Sequence, residues 1–313
     1  MALKQVMEVY DLLETPNIEK GEIQDFFTQK GLDRSETQFQ RVKEDKGETQ
    51  FVNIHIKGKE GYSEAGEAPT LGIIGRLGGI GARPHKSGLV SDADGAITAL
   101  SAAAKIADLR NKGDQLTGDV MVATHLCPHS PIIPHEPVPF MDAPVALDTM
   151  NQYEVDERMD AILSVDTTKG NRIINCRGFA ISATVKDGYI LRVSEDLLDI
   201  MQTVTGKLPV VFPITTQDIT PYGNQIFHLN SILQPAVATH APVVGVAITT
   251  EVAVPGCATG ANHALDMEMA VRFVVEVAKA FGRAQCSFYD EEEFQRLTSL
   301  YGSLEHLKTL RKK

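Results

Sequence analysis

Apolar residues recur at helical spacing over residues 3–14, where Leu3, Val6, Val9 or Tyr10 and Leu13 share one face. A second helix is predicted from Asn17 as its cap, with Ile18, Ile23, Phe26 and Phe27 inward and Gly31 as the stop. Phe51–Gly58 alternates apolar and polar residues as a half-buried strand does. Leu71–Gly75 is wholly apolar, the mark of a central parallel strand. Further apolar runs at Asp119–Cys127, Ala161–Asp166, Pro209–Thr215 and Val243–Thr249 predict more strands. Helices are predicted at Ala96–Asn111, Ser194–Thr205, Leu265–Phe281 and Asp290–Leu310, and Arg172–Arg192 is read as an antiparallel excursion. Strands alternating with helices predict an α/β fold: a mixed, mostly parallel sheet sandwiched by helices, in one domain over residues 1–313.

Charge narrows the partners. The 313 residues carry 30 Lys plus Arg against 41 Asp plus Glu, a net charge of −11. Nucleic acid and anionic membranes favour a basic face, so neither is expected. The four cysteines (Cys127, Cys176, Cys257 and Cys286) form no CxxC pair and read as reduced thiols. No charged n-region with an apolar h-region opens the chain, and no run approaches ~18 apolar residues. A cytoplasmic location is the expectation.

Gly75, Gly78, Gly79 and Gly81 follow a strand, but their spacing is not GxGxxG and no GKS/T is present. They read as turn glycines rather than a phosphate loop. In an open parallel sheet, functional groups gather at the carboxyl ends of the strands. That rule selects Arg76, His85, Asp92 and Asp94 after Leu71–Gly75, and His125, Cys127 and His129 after the next run. It also selects Asp166, then Glu251, Asn262, His263 and Asp266. The His, Asp and Cys residues among them are ligand types for a zinc-like ion. His125, Cys127 and His129 share one face if the backbone stays extended, and Pro128, Pro131 and Pro134 oppose a helix there. These residues also have ordinary explanations: strand-end imidazoles bonded to backbone or water, Asp166 capping the Thr168 and Lys169 amides, and helix capping for one of Asp92 and Asp94 but hardly both.

The order of these features resembles the zinc-dependent exopeptidase superfamily, nearest the tetrahedral and glutamyl aminopeptidases. The resemblance rests on LLETPNIEKGEIQDFFTQKGL, SDADGAITALSAAAKIADL with GDVMVATHL, AILSVDTTKG, ISATVKDGYILRVSEDLLDIMQTV and HALDMEMAVRFVVEVAKAF. It implies Asp92 as a metal-bridging carboxylate, with Asp166 and His263 as terminal ligands. Two motifs depart: Arg76-Leu77-Gly78 stands where the family has His-x-Asp, and THLCPHS where it has a Glu–Glu pair. The family's inserted domain is also missing between Arg76 and Asp92.

Three readings follow. In the first, His125 or His129 and His85 replace the lost ligands of a divalent metal, most simply zinc. The chain is then a divergent hydrolase of peptide or amide bonds, with His129 or Glu251 as base and Asn262 near the substrate. In the second, metal binding is gone and the chain is a non-catalytic peptidase-like binding protein, in which Arg76 pairs with Asp92, Asp166 or a small carboxylate or peptide ligand. In the third, Cys127 is a nucleophile, which requires an exposed thiol of depressed pKa. Apolar helices at both ends could pair subunits in a homo-oligomer. The stripe Phe294, Leu297, Tyr301, Leu304 and Leu307 is expected to pack on the body.

Overall fold

The structure, a computed structural model, describes residues 1–15, 18–76, 89–128, 130, 132–133, 140–141, 143–214, 229–253 and 261–308. Its strands are β1 (Thr37–Glu44), β2 (Gly47–Ile56), β3 (Leu71–Gly75), β4 (Val120–Leu126), β5 (Ile132–Ile133), β6 (Phe140–Met141) and β7 (Ala161–Thr167). They continue with β8 (Gly178–Ile181), β9 (Val185–Lys186), β10 (Tyr189–Ile190) and β11 (Val243–Thr249). The α-helices are α1 (Leu3–Glu14), α2 (Lys20–Gln29), α3 (Asp94–Asn111), α4 (Leu147–Glu154), α5 (Glu195–Thr205), α6 (Ala264–Gly282) and α7 (Glu291–Tyr301).

The main sheet runs β1-β2-β4-β3-β7-β11-β9-β10, with β8 paired to β11 off that path, and β5 pairs β6 separately. Its centre, β4-β3-β7-β11, is parallel. The β1–β2 hairpin and the β8–β10 excursion add antiparallel strands at either side. This is the mixed, mostly parallel α/β sheet that the alternation of elements predicts. Central strands are apolar on both faces because layers cover both sides.

The two layers are unequal. Leu71 and Ile73, Leu163 and Val165, and Val244 and Val246 face a core shared with α1, α3, α5 and α6. The alternate residues Ile74, Ala123, Ile162 and Ala247 face a smaller core closed by the 3-10 segment Ser231–Val237. Helix α4 adds Met150 beside Phe51 on that same side. Alternation along each strand therefore decides which layer every edge residue meets.

Several predicted boundaries move. The cap of α2 is Glu19, whose capping box with Glu22 satisfies both ends of the first turn, and Asn17 lies outside the described residues. Strand β1 was not predicted, because a sparsely apolar edge strand lacks the run that marks a core strand. The described part of Pro209–Thr215 makes only a bridge from Val211 to Ile181. The predicted helix Asp290–Leu310 ends at Tyr301, since Gly302 turns at φ 83°. Helix α7 packs through Phe294, which meets Tyr189 and Tyr289 edge-on, while Leu300 and Tyr301 are 72% exposed. No described helix is long and apolar enough to cross a membrane.

Candidate functional site

Strand register sets the site. Gly75 pairs with Thr124 on β4 and with Val165 on β7. One residue further, Arg76 is level with His125 and Asp166, and its amide donates to Val165 O at 2.7 Å. Phe51 and Ala247 extend the same row, as partners of His125 and Asp166. Side chains in this row point to the Ser231–Val237 side. His125 and Asp166 are two strands apart, roughly 10 Å between Cα atoms, with Arg76 between them.

Arg76 is 1% exposed and among the largest fully buried side chains. Its NH1 donates to Glu154 Oε2 at 2.6 Å and its NH2 to Gln234 Oε1 at 2.6 Å. The guanidinium thus spans from the end of α4 to the 3-10 segment. The other oxygen of Glu154, Oε1, takes His125 Nδ1 at 2.5 Å. Burial raises the Glu154 pKa, but His125 and Arg76 outweigh it and hold the carboxyl below its usual range. The ion pair expected between Arg76 and Asp92 or Asp166 forms with Glu154 instead, because α4 places that carboxylate directly over the row.

Opposite Arg76, two carboxylates lack such compensation. Asp166 is buried, and its Oδ1 accepts from the amide of Thr167 at 2.7 Å. Burial pushes its pKa up to about 7, with Asp92 and Glu154 adding to the rise and Thr167 and Arg76 opposing it. Asp92 stands on the turn Ser91–Ala93 and has no hydrogen bond among the described residues. Burial and the charge of Asp94 push it to about 6, against Lys169.

Asp94, the first residue of α3, is held on both sides. Lys169 Nζ donates to its Oδ2 at 2.5 Å and Asn262 Nδ2 to its Oδ1 at 2.5 Å. Neither Asp92 nor Asp94 caps α3, whose cap position is Ala93. Lys169 is buried and has φ 29°, a left-handed backbone that non-glycine residues rarely adopt. Gly95 lets α3 begin against the sheet: a Cβ there would stand 2.4 Å from Arg76 O and 2.8 Å from Val165 O.

Across the edge, His263 precedes α6 with its side chain 44% exposed, and its Nδ1 lies 3.7 Å from Asp266 Oδ2. Asp266 is buried, and burial raises its pKa against the nearby Arg177. Among the described residues, three buried polar atoms at this edge have no hydrogen-bond partner: Ser91 Oγ, Asn262 Oδ1 and Asp266 Oδ1, the last lying 3.9 Å from Arg177 Nε. Glu251 is exposed on the loop after β11. His85 and His129 lie outside the described residues. Cys127 is buried against Thr49 Oγ1 at 2.8 Å, and burial pushes its thiol up to about 12. That is opposite to what a nucleophilic thiolate requires, so the thiol reading does not hold.

The edge therefore gathers Arg76, His125, Asp166, Asp92, Asn262 and His263 in two adjoining groups. Asp92, Asp166, His125 and His263 do not supply three ligand atoms within 4.8 Å of one another. Among the described residues, the trio that does is Asp187, His240 and Glu305, far along the sheet. Lys308 Nζ already contacts Asp187 and is 2.8 Å from His240 Nδ1, so an ammonium supplies the positive charge there. Sequence reasoning missed Glu154, Gln234 and Lys169. Glu154 ends a short polar helix and Gln234 sits in a 3-10 segment, so neither carries a local signal.

The solved structure of a glutaminyl cyclase from an Acidobacteriales bacterium aligns with this chain at a TM-score of 0.49 and 12% identity. The alignment covers 90% of this chain and 94% of that one. No curated protein sequence matches. A family described as "Protein of unknown function (DUF1177)" matches residues 40–311. With most of its length inside that match, the chain belongs to this family of unknown function.

Proposed function

We propose that the chain is a metal-dependent hydrolase of peptide or amide bonds, working at the carboxyl edge between the starts of α3 and α6. The observation that carries this reading is the Asp92–Asp166 pair. Two carboxylates whose pKa values are raised chiefly by burial, Asp166 further by Asp92 and Asp92 further by Asp94, share this edge, while the neighbouring cations are engaged elsewhere. Lys169 holds Asp94 and Arg76 holds Glu154. Confined like charges call for a further cation.

The donor types suit a zinc-type ion: carboxylate oxygens of Asp92 and Asp166 and the imidazole of His263. These atoms do not all lie within 4.8 Å of one another, so holding one ion requires them to draw closer. Asn262 Oδ1, a buried acceptor with no hydrogen-bond partner among the described residues, lines the same edge and favours a cation there. When bound, such an ion polarises a carbonyl and lowers the pKa of water. In this reading Asp266 faces His263 Nδ1 and orients the ring. Glu154 holds His125 Nδ1, which leaves Nε2 to take or give a proton. His129 and Glu251 stay in the proposal as further proton carriers, and His85 as a further ligand. Arg76, enclosed and bonded to Glu154 and Gln234, is a positioning residue rather than a hand for a substrate carboxylate.

Elemental mass spectrometry of the untagged protein tests this, with Asp166→Ala and His263→Ala alongside. Near-stoichiometric zinc, manganese or cobalt that falls in both variants is the expected result, followed by metal-dependent cleavage in a peptide and amide screen. Wild-type protein that holds no metal after incubation with excess ion overturns it.

A further inference from the structure

A second cleft, of about 520 Å³, opens between α5 and the C-terminal half of α6, with Lys105 of α3 at its side. It lies far from the candidate site. Helix α6 starts beside His263 at the carboxyl edge and ends at Gly282, which packs on Gly118 just before β4. The cleft thus belongs to the amino edge of the sheet. Its volume lies within the range of small-molecule sites.

The chemistry of its walls is mixed. Ile200, Val204, Val275 and Ala280 form an apolar floor. Two of the bordering cations are engaged: Arg272 Nε donates to Glu268 at 3.0 Å, and Lys279 to Glu276 at 2.8 Å. Lys105 and Arg283 make no ion pair among the described residues, and the remaining acid on the border is Asp199. A surplus of cations over an apolar floor stands out in a chain of net charge −11.

We propose that this cleft binds an amphiphilic monoanion, a fatty-acid-like carboxylate. Its tail lies along Ile200, Val204, Val275 and Ala280, and its carboxylate is met by Lys105 and Arg283. Each part of the ligand answers one feature of the cleft. A tail of about ten carbons gains by burying apolar area on that floor, against the costs of association. The exposed cations contribute selectivity more than strength.

Isothermal titration calorimetry of the full chain with decanoate tests the proposal, with acetate and decanol as controls. The expected result is one decanoate per chain, with decanol about tenfold weaker and acetate weaker still. The double variant Lys105→Glu, Arg283→Glu should bind decanoate about tenfold more weakly at moderate salt. Ile200→Glu, which places charge on the half-buried floor, should also lose binding if the double variant proves unstable. No binding of decanoate at millimolar concentration overturns the proposal. So does decanoate binding equally to wild type and variants, or decanol binding as tightly as decanoate.

Discussion

Arg76 and Glu154 form an ion pair, NH1 to Oε2 at 2.6 Å, in which the two side chains are 2% and 0% exposed. The pair joins the end of β3 to the end of α4, and through Gln234 to the 3-10 segment across the sheet. It also decides what His125 can do, because the same carboxylate takes His125 Nδ1. A substitution that breaks a buried pair leaves one charge without compensation, which is the expensive event.

Arg76→Met should therefore destabilise the protein by about 3–5 kcal/mol, read from urea unfolding. The double variant Arg76→Met, Glu154→Gln should recover a large part, since glutamine still accepts from His125 without a charge. The depressed Glu154 pKa gives the wild type stability above the ordinary carboxylate range, lost as pH falls through the folded value. Arg76→Met should shift this acid transition to higher pH. A single variant within 1 kcal/mol of wild type would mean that Arg76 is not holding α4.

Asp166 should make the metal-free protein less stable as pH rises. Its folded pKa is raised to about 7, chiefly by burial. Between about pH 4 and 7 the folded state keeps a proton that the unfolded chain has released, so rising pH favours unfolding. Asp166→Asn keeps the acceptor for Thr167 N and has no proton to lose. Its melting temperature should match wild type near pH 4 and exceed it at pH 8, both measured with a chelator present. Adding zinc should raise the wild-type value more at pH 8 than at pH 5. Parallel curves for the two proteins would show that Asp166 is not the strained group.

How much of this was legible in the sequence depends on whether the signal was local. LGIIG and VVGVAIT announce central strands because burial on both faces requires an unbroken apolar run. The two-residue alternation, extended one step past Gly75, is also what puts Arg76 and Asp166 in one row. Glu154 and Gln234 have no such signature. Their partner Arg76 is 78 and 158 positions away, and only sheet register and the placement of α4 bring them together. The choice of Asp92, Asp166 and Asn262 followed from the carboxyl-edge rule. The buried Lys169 that engages Asp94 was invisible, because a lysine after a strand reads as solvated.

Cys127 should resist alkylation in the native state. It lies against Thr49 Oγ1, and burial pushes its thiol up to about 12, so almost no thiolate forms near neutral pH. Cys176 is half-buried, with a pKa raised by burial, and should react first of the two. Iodoacetamide at pH 8 followed by peptide mass mapping distinguishes them. Labelling of Cys127 should appear only in denaturant. Rapid labelling in native buffer would place the thiol in contact with solvent and reopen its role as a nucleophile.

Gly95→Ala gives the sharpest test of how α3 meets the sheet. Inside a helix, alanine is ordinarily favoured over glycine by about 1 kcal/mol. Here the added Cβ would stand 2.4 Å from Arg76 O, 2.8 Å from Val165 O and 3.3 Å from Arg76 N. All three are backbone atoms at the ends of β3 and β7 beside the site, so no side-chain rotation relieves the overlap. The helix must move outward, taking Asp94 away from Lys169 and Asn262. The substitution should destabilise by about 1–3 kcal/mol, opposite in sign to the helix preference. It should also weaken metal binding through displacement of Asp92. Thermal unfolding and metal content, measured on the same preparation, check both effects. A stabilised variant with unchanged metal content would mean that α3 does not press on β3 and β7 at this point.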